Sequence, residues 1–119
     1  MTSVTLYHNP RCSKSRAVLA LLEENDISPE LVYYMDNPPD VKQLKALMKK
    51  LGMQVRDVLR RNEPEYEELG LDDENLAEEI VLDLLARHPR LLQRPIVVAD
   101  GRAIIGRPPE AVLPFIEDL

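Results

Sequence analysis

The chain has a single cysteine, and its neighbours suit a reactive thiol: His8-Asn9-Pro10-Arg11-Cys12-Ser13-Lys14-Ser15-Arg16. A free thiol has a pKa of about 8.5, so only about 3% is thiolate at pH 7. Cations nearby and a helix N-terminus lower that value, and at about 6.5 roughly three quarters would be ionised. Arg11, Lys14 and Arg16 supply positive charge, and His8 stands four residues upstream. Ser13 and Ser15 carry hydroxyls, with Ser15 one helical turn along and able to donate to the sulfur. A lone cysteine can instead be a small core hydrophobe, but Arg, Ser and Lys on either side make a poor apolar site. The sequence therefore predicts a nucleophilic Cys12 with a depressed pKa.

Spacing excludes two other thiol chemistries. A dithiol redox pair needs Cys-x-x-Cys, and position 15 is Ser15. A phosphatase loop needs an arginine six residues after the cysteine, where Val18 stands.

Cys12 needs a strand end and a helix start to position it, and the pattern supplies both. Residues 4–7 read as a strand leading into the loop, and from Ser13 the residues Ala17, Val18, Leu21 and Leu22 share a helical face. Four unpaired N–H groups and the positive dipole end then face the cysteine. Residues 31–35 read as a second strand, parallel to the first because a helix connects them. Pro39 suits the first turn of a helix carrying Val41, Leu44, Leu47, Met48 and Leu51, stopped by Gly52. Residues 55–59 form a short helical segment ending in Arg60-Arg61. Asp72 or Asp73 can cap a further helix with the stripe Leu76, Ala77, Ile80, Val81, Leu84, Leu85. Residues 96–99 and 102–105 flank Asp100-Gly101, the pair favoured in type I′ hairpin turns. Pro108-Pro109 opens a last helix through Val112, Phe115 and Ile116, with Pro114 bending it or marking a late start. The order is β-α-β, a helical block, then β-β-α. This predicts an α/β, thioredoxin-like fold with a helical insertion between its two halves.

The 119 residues fit one domain, 1–119, and 45% apolar content can build a core without staples. One cysteine forbids an internal disulfide and, with two distant histidines, makes a poor metal set, so no metal and no bound cofactor are expected. A net charge of −6 argues against a nucleic-acid binder. Met1-Thr2-Ser3-Val4 has no basic leader pattern, and no run approaches a membrane span. A soluble, cytoplasmic monomer is expected, in the reducing compartment that an unpaired cysteine suits. His88 before Pro89 reads as structural, Tyr33, Tyr34 and Tyr66 as packing, and the acidic run over residues 63–79 as a solvated face.

The segment Tyr7-His8-Asn9-Pro10-Arg11-Cys12-Ser13-Lys14-Ser15-Arg16 resembles the active-site loop of the glutaredoxin-coupled arsenate reductase (ArsC) family. Asn37-Pro38-Pro39, Val58-Leu59-Arg60, His88-Pro89, Arg94-Pro95-Ile96-Val97-Val98 and Gly106-Arg107-Pro108 extend the likeness over nearly the whole chain. It is similar to a shorter branch of that family, with Ser13 and Ala17 where other members tend to have Gly and Asn. The resemblance implies that Arg60, Arg94 and Arg107 hold an arsenic oxyanion beside the Cys12 thiolate. It implies that His8 helps ionise the cysteine, that Ser15 lies near the sulfur, and that Pro95 follows a cis peptide bond. Guanidinium forks suit such a dianion, because they stay charged and bind bidentately. Arg94 and Arg107 flank the expected hairpin, which sets them side by side.

The implied reaction reduces arsenate to arsenite through a Cys12 thiol–arsenic adduct. The second thiol must come from outside, because the chain has no other cysteine. In the family it is glutathione, as co-substrate, and glutaredoxin reduces the mixed disulfide. Two alternatives stay open here: a monothiol glutathione-linked oxidoreductase acting on another substrate, and an Spx-like regulator that binds a protein partner.

Overall fold

The computed structural model describes residues 3–119; Met1 and Thr2, part of the segment read above for a leader pattern, lie outside the described residues. The elements run β1 (Val4–Tyr7), α1 (Ser13–Glu24), β2 (Glu30–Val32), α2 (Val41–Leu51), α3 (Pro64–Glu68), α4 (Glu78–Arg87), β3 (Ile96–Ala99), β4 (Arg102–Ile105) and α5 (Val112–Glu117), with short 3-10 turns at Val55–Val58, Pro89–Leu91 and Pro109–Ala111. They form two compact units, residues 3–37 with Arg94–Leu119, and Pro38–Gln93.

The first unit is built on a four-stranded sheet in the order β2-β1-β3-β4. β1 runs parallel to β2, pairing Leu6 with Leu31 and Tyr7 with Val32. β1 runs antiparallel to β3, and β3 to β4, with Ile96 opposite Ile105 and Ala99 opposite Arg102. This is the α/β, thioredoxin-like arrangement that the element order predicts. Alternation along β1 buries Val4 and Leu6, which meet Val18 and Leu22 of α1, Val97 and Ala99 of β3, and Val112, Phe115 and Ile116 of α5. Each fully buried side chain of this kind contributes about 1.5–3 kcal/mol. The hairpin turns on Asp100 (φ 56°) and Gly101 (φ 74°), the two positive φ angles that a type I′ turn requires.

In the second unit α2 packs on α4, burying Leu44, Leu47 and Met48 on one helix and Val81, Leu82 and Leu85 on the other. Gly52 ends α2 in the left-handed region at φ 66°.

Several boundaries differ from expectation. β2 stops at Val32, three residues early, because residues 33–37 fold into a turn in which the Asp36 and Asn37 N–H groups donate to the Tyr33 carbonyl. Pro39 lies outside α2: Asp40 is its N-cap, and Asp40 and Gln43 form a reciprocal capping box. α4 starts at Glu78, after an Ala77 N-cap, so neither Asp72 nor Asp73 caps it, and Ile80 is 50% exposed. The Asp73 carboxylate instead accepts from the Asn75 N–H in a tight turn. Pro114 falls in the first turn of α5, the late start, where a missing N–H costs nothing. Among the described residues no helix is long and apolar enough to cross a membrane.

Candidate active site

β1 ends at Tyr7, and the chain turns through His8-Asn9-Pro10-Arg11 into Cys12, the N-cap of α1. The turn is tied down by its own backbone: the Cys12 N–H donates to the Asn9 carbonyl at 2.9 Å, and the Arg16 guanidinium donates to the Pro10 carbonyl at 2.8 Å. Side-chain caps at this position accept from the N–H groups two and three residues on. Here those groups belong to Lys14 and Ser15; the thiol makes no side-chain cap hydrogen bond, but both N–H groups favour an anionic sulfur.

Several influences act on the Cys12 thiol. Burial is the largest and pushes its pKa up. The Ser15 N–H, a hydrogen bond from the Arg94 guanidinium, the Lys14 N–H and the Arg94 charge all pull it down, and together they prevail. The net shift is downward, in the direction the flanking residues suggest.

His8 and Ser15 are both buried, at 4% and 0% exposure. The His8 Nδ1 and Ser15 Oγ atoms share a hydrogen bond of 2.6 Å, and the Asn9 N–H donates to the same oxygen at 3.0 Å. Burial, helped by the Arg16 charge, lowers the His8 pKa, so the ring is neutral at pH 7. A proton on Nε2 lets Nδ1 accept the serine hydroxyl. The Ser15 side chain is thus engaged by His8 and Asn9, while its backbone N–H serves the sulfur.

Arg94 stands two residues before the hairpin and Arg107 two residues after it. The Gly106 N–H donates to the Pro95 carbonyl at 2.8 Å, which fastens the two ends together. Both following peptide bonds, Arg94–Pro95 and Arg107–Pro108, are cis; the first was implied by the resemblance and the second was not foreseen. Arg94 Nε is buried and meets no acceptor among the described residues, whereas Arg107 is exposed.

Arg60 belongs to the second unit. Its Nη1 lies 2.7 Å from Glu63 Oε1, and Arg90 reaches the other oxygen of that carboxylate at 3.3 Å. Glu63, only 13% exposed, is therefore a paired group, contrary to the reading of the acidic run as wholly solvated. The structure brings Cys12, His8, Ser15, Arg94 and Arg107 into the first unit.

Tyr33 also departs from expectation. It is 42% exposed, and its ring stands edge-on to His8, with centroids 5.9 Å apart. With His8, Asn9, Pro10, Arg11, Met35 and Asp36 it lines an open cavity of about 360 Å³. One signal in the sequence could have found it: the ends of parallel strands are where ligands gather in α/β sheets.

A mixed four-stranded sheet, with one cysteine at the N-cap position of the helix after β1 and an arginine–proline pair leading into β3, defines a single-cysteine protein of the thioredoxin-like class. The ArsC family model matches residues 7–115, and the chain belongs to the ArsC family. It is 50% identical over 113 residues to a protein named arsenate reductase from Neisseria meningitidis (94% of this chain, 97% of that one). It is 50% identical over 114 residues to YfgD of Escherichia coli K12, named as uncharacterized (95% and 96%). A solved structure titled arsenate reductase from Vibrio cholerae superposes with a TM-score of 0.92 at 48% identity, covering 94% of this chain and 96% of that one.

Proposed function

We propose that the chain reduces arsenate to arsenite in the cytoplasm, as a monomer, with glutathione and glutaredoxin as the source of electrons. One observation carries this reading. The guanidinium that bonds to the Cys12 sulfur also holds a buried Nε–H that meets no acceptor among the described residues. A buried donor without a partner costs about 1–3 kcal/mol, and an oxyanion seated against the sulfur would satisfy it. Arg107, fastened beside Arg94 at the hairpin base, adds a second positive charge. Family resemblance adds Arg60 as a third.

In the first step the Cys12 thiolate attacks arsenic. One arsenate oxygen leaves as water after taking up protons, and a sulfur–arsenic bond forms with arsenic still As(V). Arg94 and Arg107 stabilise the oxyanion charge during the exchange. The thiol of glutathione then attacks the Cys12 sulfur. The electron pair of the sulfur–arsenic bond stays with arsenic, which departs as As(III), and the thiol proton goes to an arsenite oxygen. Two thiols have become one mixed disulfide, matching the two electrons gained by arsenic. A glutaredoxin thiol displaces Cys12 from that disulfide and carries the glutathione away.

The test is arsenite production coupled to glutathione and glutaredoxin. Wild type turns over, and Cys12→Ser falls to the uncatalysed rate. Turnover that survives the loss of Cys12, or a wild type that makes no arsenite, sinks the reading. A wild type that cleaves glutathione mixed disulfides but leaves arsenate untouched supports the monothiol alternative.

A further inference from the structure

The reaction just described needs a second thiol, and the chain does not hold one. We infer that the cavity between the His8–Arg11 turn and the Tyr33–Asp36 turn binds the thiol co-substrate, a small zwitterionic peptide thiol of the glutathione type. The inference rests on the proposed function for its need of an outside thiol, and on the cavity itself for the place.

At about 360 Å³ the cavity lies within the range of about 300–1,000 Å³ that small-molecule sites occupy. Its walls come from the two turns that follow the parallel strands β1 and β2. One wall ends at Arg11, the residue covalently joined to Cys12, so a ligand lying along it reaches the turn that carries the nucleophile. His8 links the cavity to the thiol loop: its ring meets Tyr33, and its Nδ1 meets Ser15, whose N–H favours an anionic sulfur.

The lining matches a peptide with charges of both signs. Arg11 offers a guanidinium and Asp36 a carboxylate, and both are exposed. No ion pair among the described residues engages either one. Tyr33 and Met35, 42% and 36% exposed, give a flat ring and an adaptable thioether for the peptide backbone to lie against. A glutathione-type thiol carries two carboxylates and one ammonium. Arg11 takes a carboxylate and Asp36 takes the ammonium. An inorganic oxyanion would gain nothing from Asp36, which separates this cavity from the Arg94 and Arg107 site.

The experiment avoids arsenate altogether. Cys12 is converted to its mixed disulfide with thionitrobenzoate, and release of the coloured thiol is followed with glutathione, with a des-amino glutathione lacking the ammonium, and with 2-mercaptoethanol. Wild type prefers glutathione over the des-amino analogue. In Asp36→Asn that preference falls about tenfold, the worth of one lost charge-assisted contact. Arg11→Gln lowers the preference of glutathione over 2-mercaptoethanol by a similar factor. Wild-type chain that shows no preference among the three thiols, or variants that keep the wild-type ratios, overturns the assignment. Both variants alter exposed side chains, and circular dichroism checks their fold. Arsenate turnover is assayed separately. Selectivity without turnover keeps the cavity and discards the arsenate reading, whereas turnover with unchanged selectivity keeps that reading and discards the cavity.

Discussion

Burial of Cys12 works against its ionisation, and the polar groups around it work the other way. Two of those groups, the N–H bonds of Lys14 and Ser15, belong to the helix and cannot be removed without unwinding it. The third, Arg94, arrives from the start of the hairpin and can be exchanged. Arg94→Gln raises the Cys12 pKa, because it deletes both a hydrogen-bond donor and a charge. The rate of alkylation by iodoacetamide, measured against pH, reports the change as an upward move of its midpoint. A midpoint that stays put would leave the helix terminus as the whole cause. His8 plays a quieter part. Its ring shares a hydrogen bond with Ser15 Oγ and so orients the serine at the third position of α1.

At the level of elements, the hairpin sets the geometry of the site. Gly106 follows β4 and faces α1 and α5. A Cβ added there would lie 2.7 Å from Val18 Cγ2, 3.1 Å from Pro95 Cγ and 3.3 Å from Val112 Cγ1. Gly106→Ala therefore overpacks the space behind Arg94 and Arg107 and costs about 1–3 kcal/mol. A urea titration that gives the wild-type midpoint would show that the hairpin can shift freely. The hairpin was fully legible in the sequence, since Asp100-Gly101 between two alternating runs admits few other structures. The Cys12 loop was legible for a similar reason: charge and hydroxyl on every side leave a thiol little apolar room. Helix α4 was less so. Leu76, Ala77 and Ile80 continue its periodicity, but periodicity cannot tell a buried position from one that tertiary packing leaves in water, and Ile80 is exposed. Tyr33 misled in the same way. Its β propensity pointed to a strand, while the chain turned one residue earlier. The pairing of Glu63 with Arg60 and Arg90 depends on contacts up to 27 residues apart, which no local pattern encodes.

For the whole molecule, the two perturbed groups of the thiol loop give stability a common dependence on pH. The His8 pKa is lowered from an unfolded value of about 6.5, and that of Cys12 from about 8.5. In each case the unfolded chain binds more protons between the folded and unfolded values, so stability rises with pH across that window. The contribution of each is complete above its unfolded value and is lost as pH falls through its folded value. Urea midpoints measured from pH 5 to pH 9 test this. The difference between wild type and Cys12→Ser grows with pH up to about 8.5, and that between wild type and His8→Gln grows up to about 6.5. Differences that stay flat, or shrink as pH rises, contradict the sign.

The Asp100-Gly101 turn stands at the end of the β3–β4 ribbon opposite to the two arginines, and it is exposed. Four residues of strand set roughly 13 Å between the turn and the end that carries Arg94 and Arg107. A fluorophore-bearing peptide or an affinity handle spliced into that corner would ride on the scaffold without crowding the sulfur, which makes the turn a natural anchor point for building an arsenic biosensor from this chain.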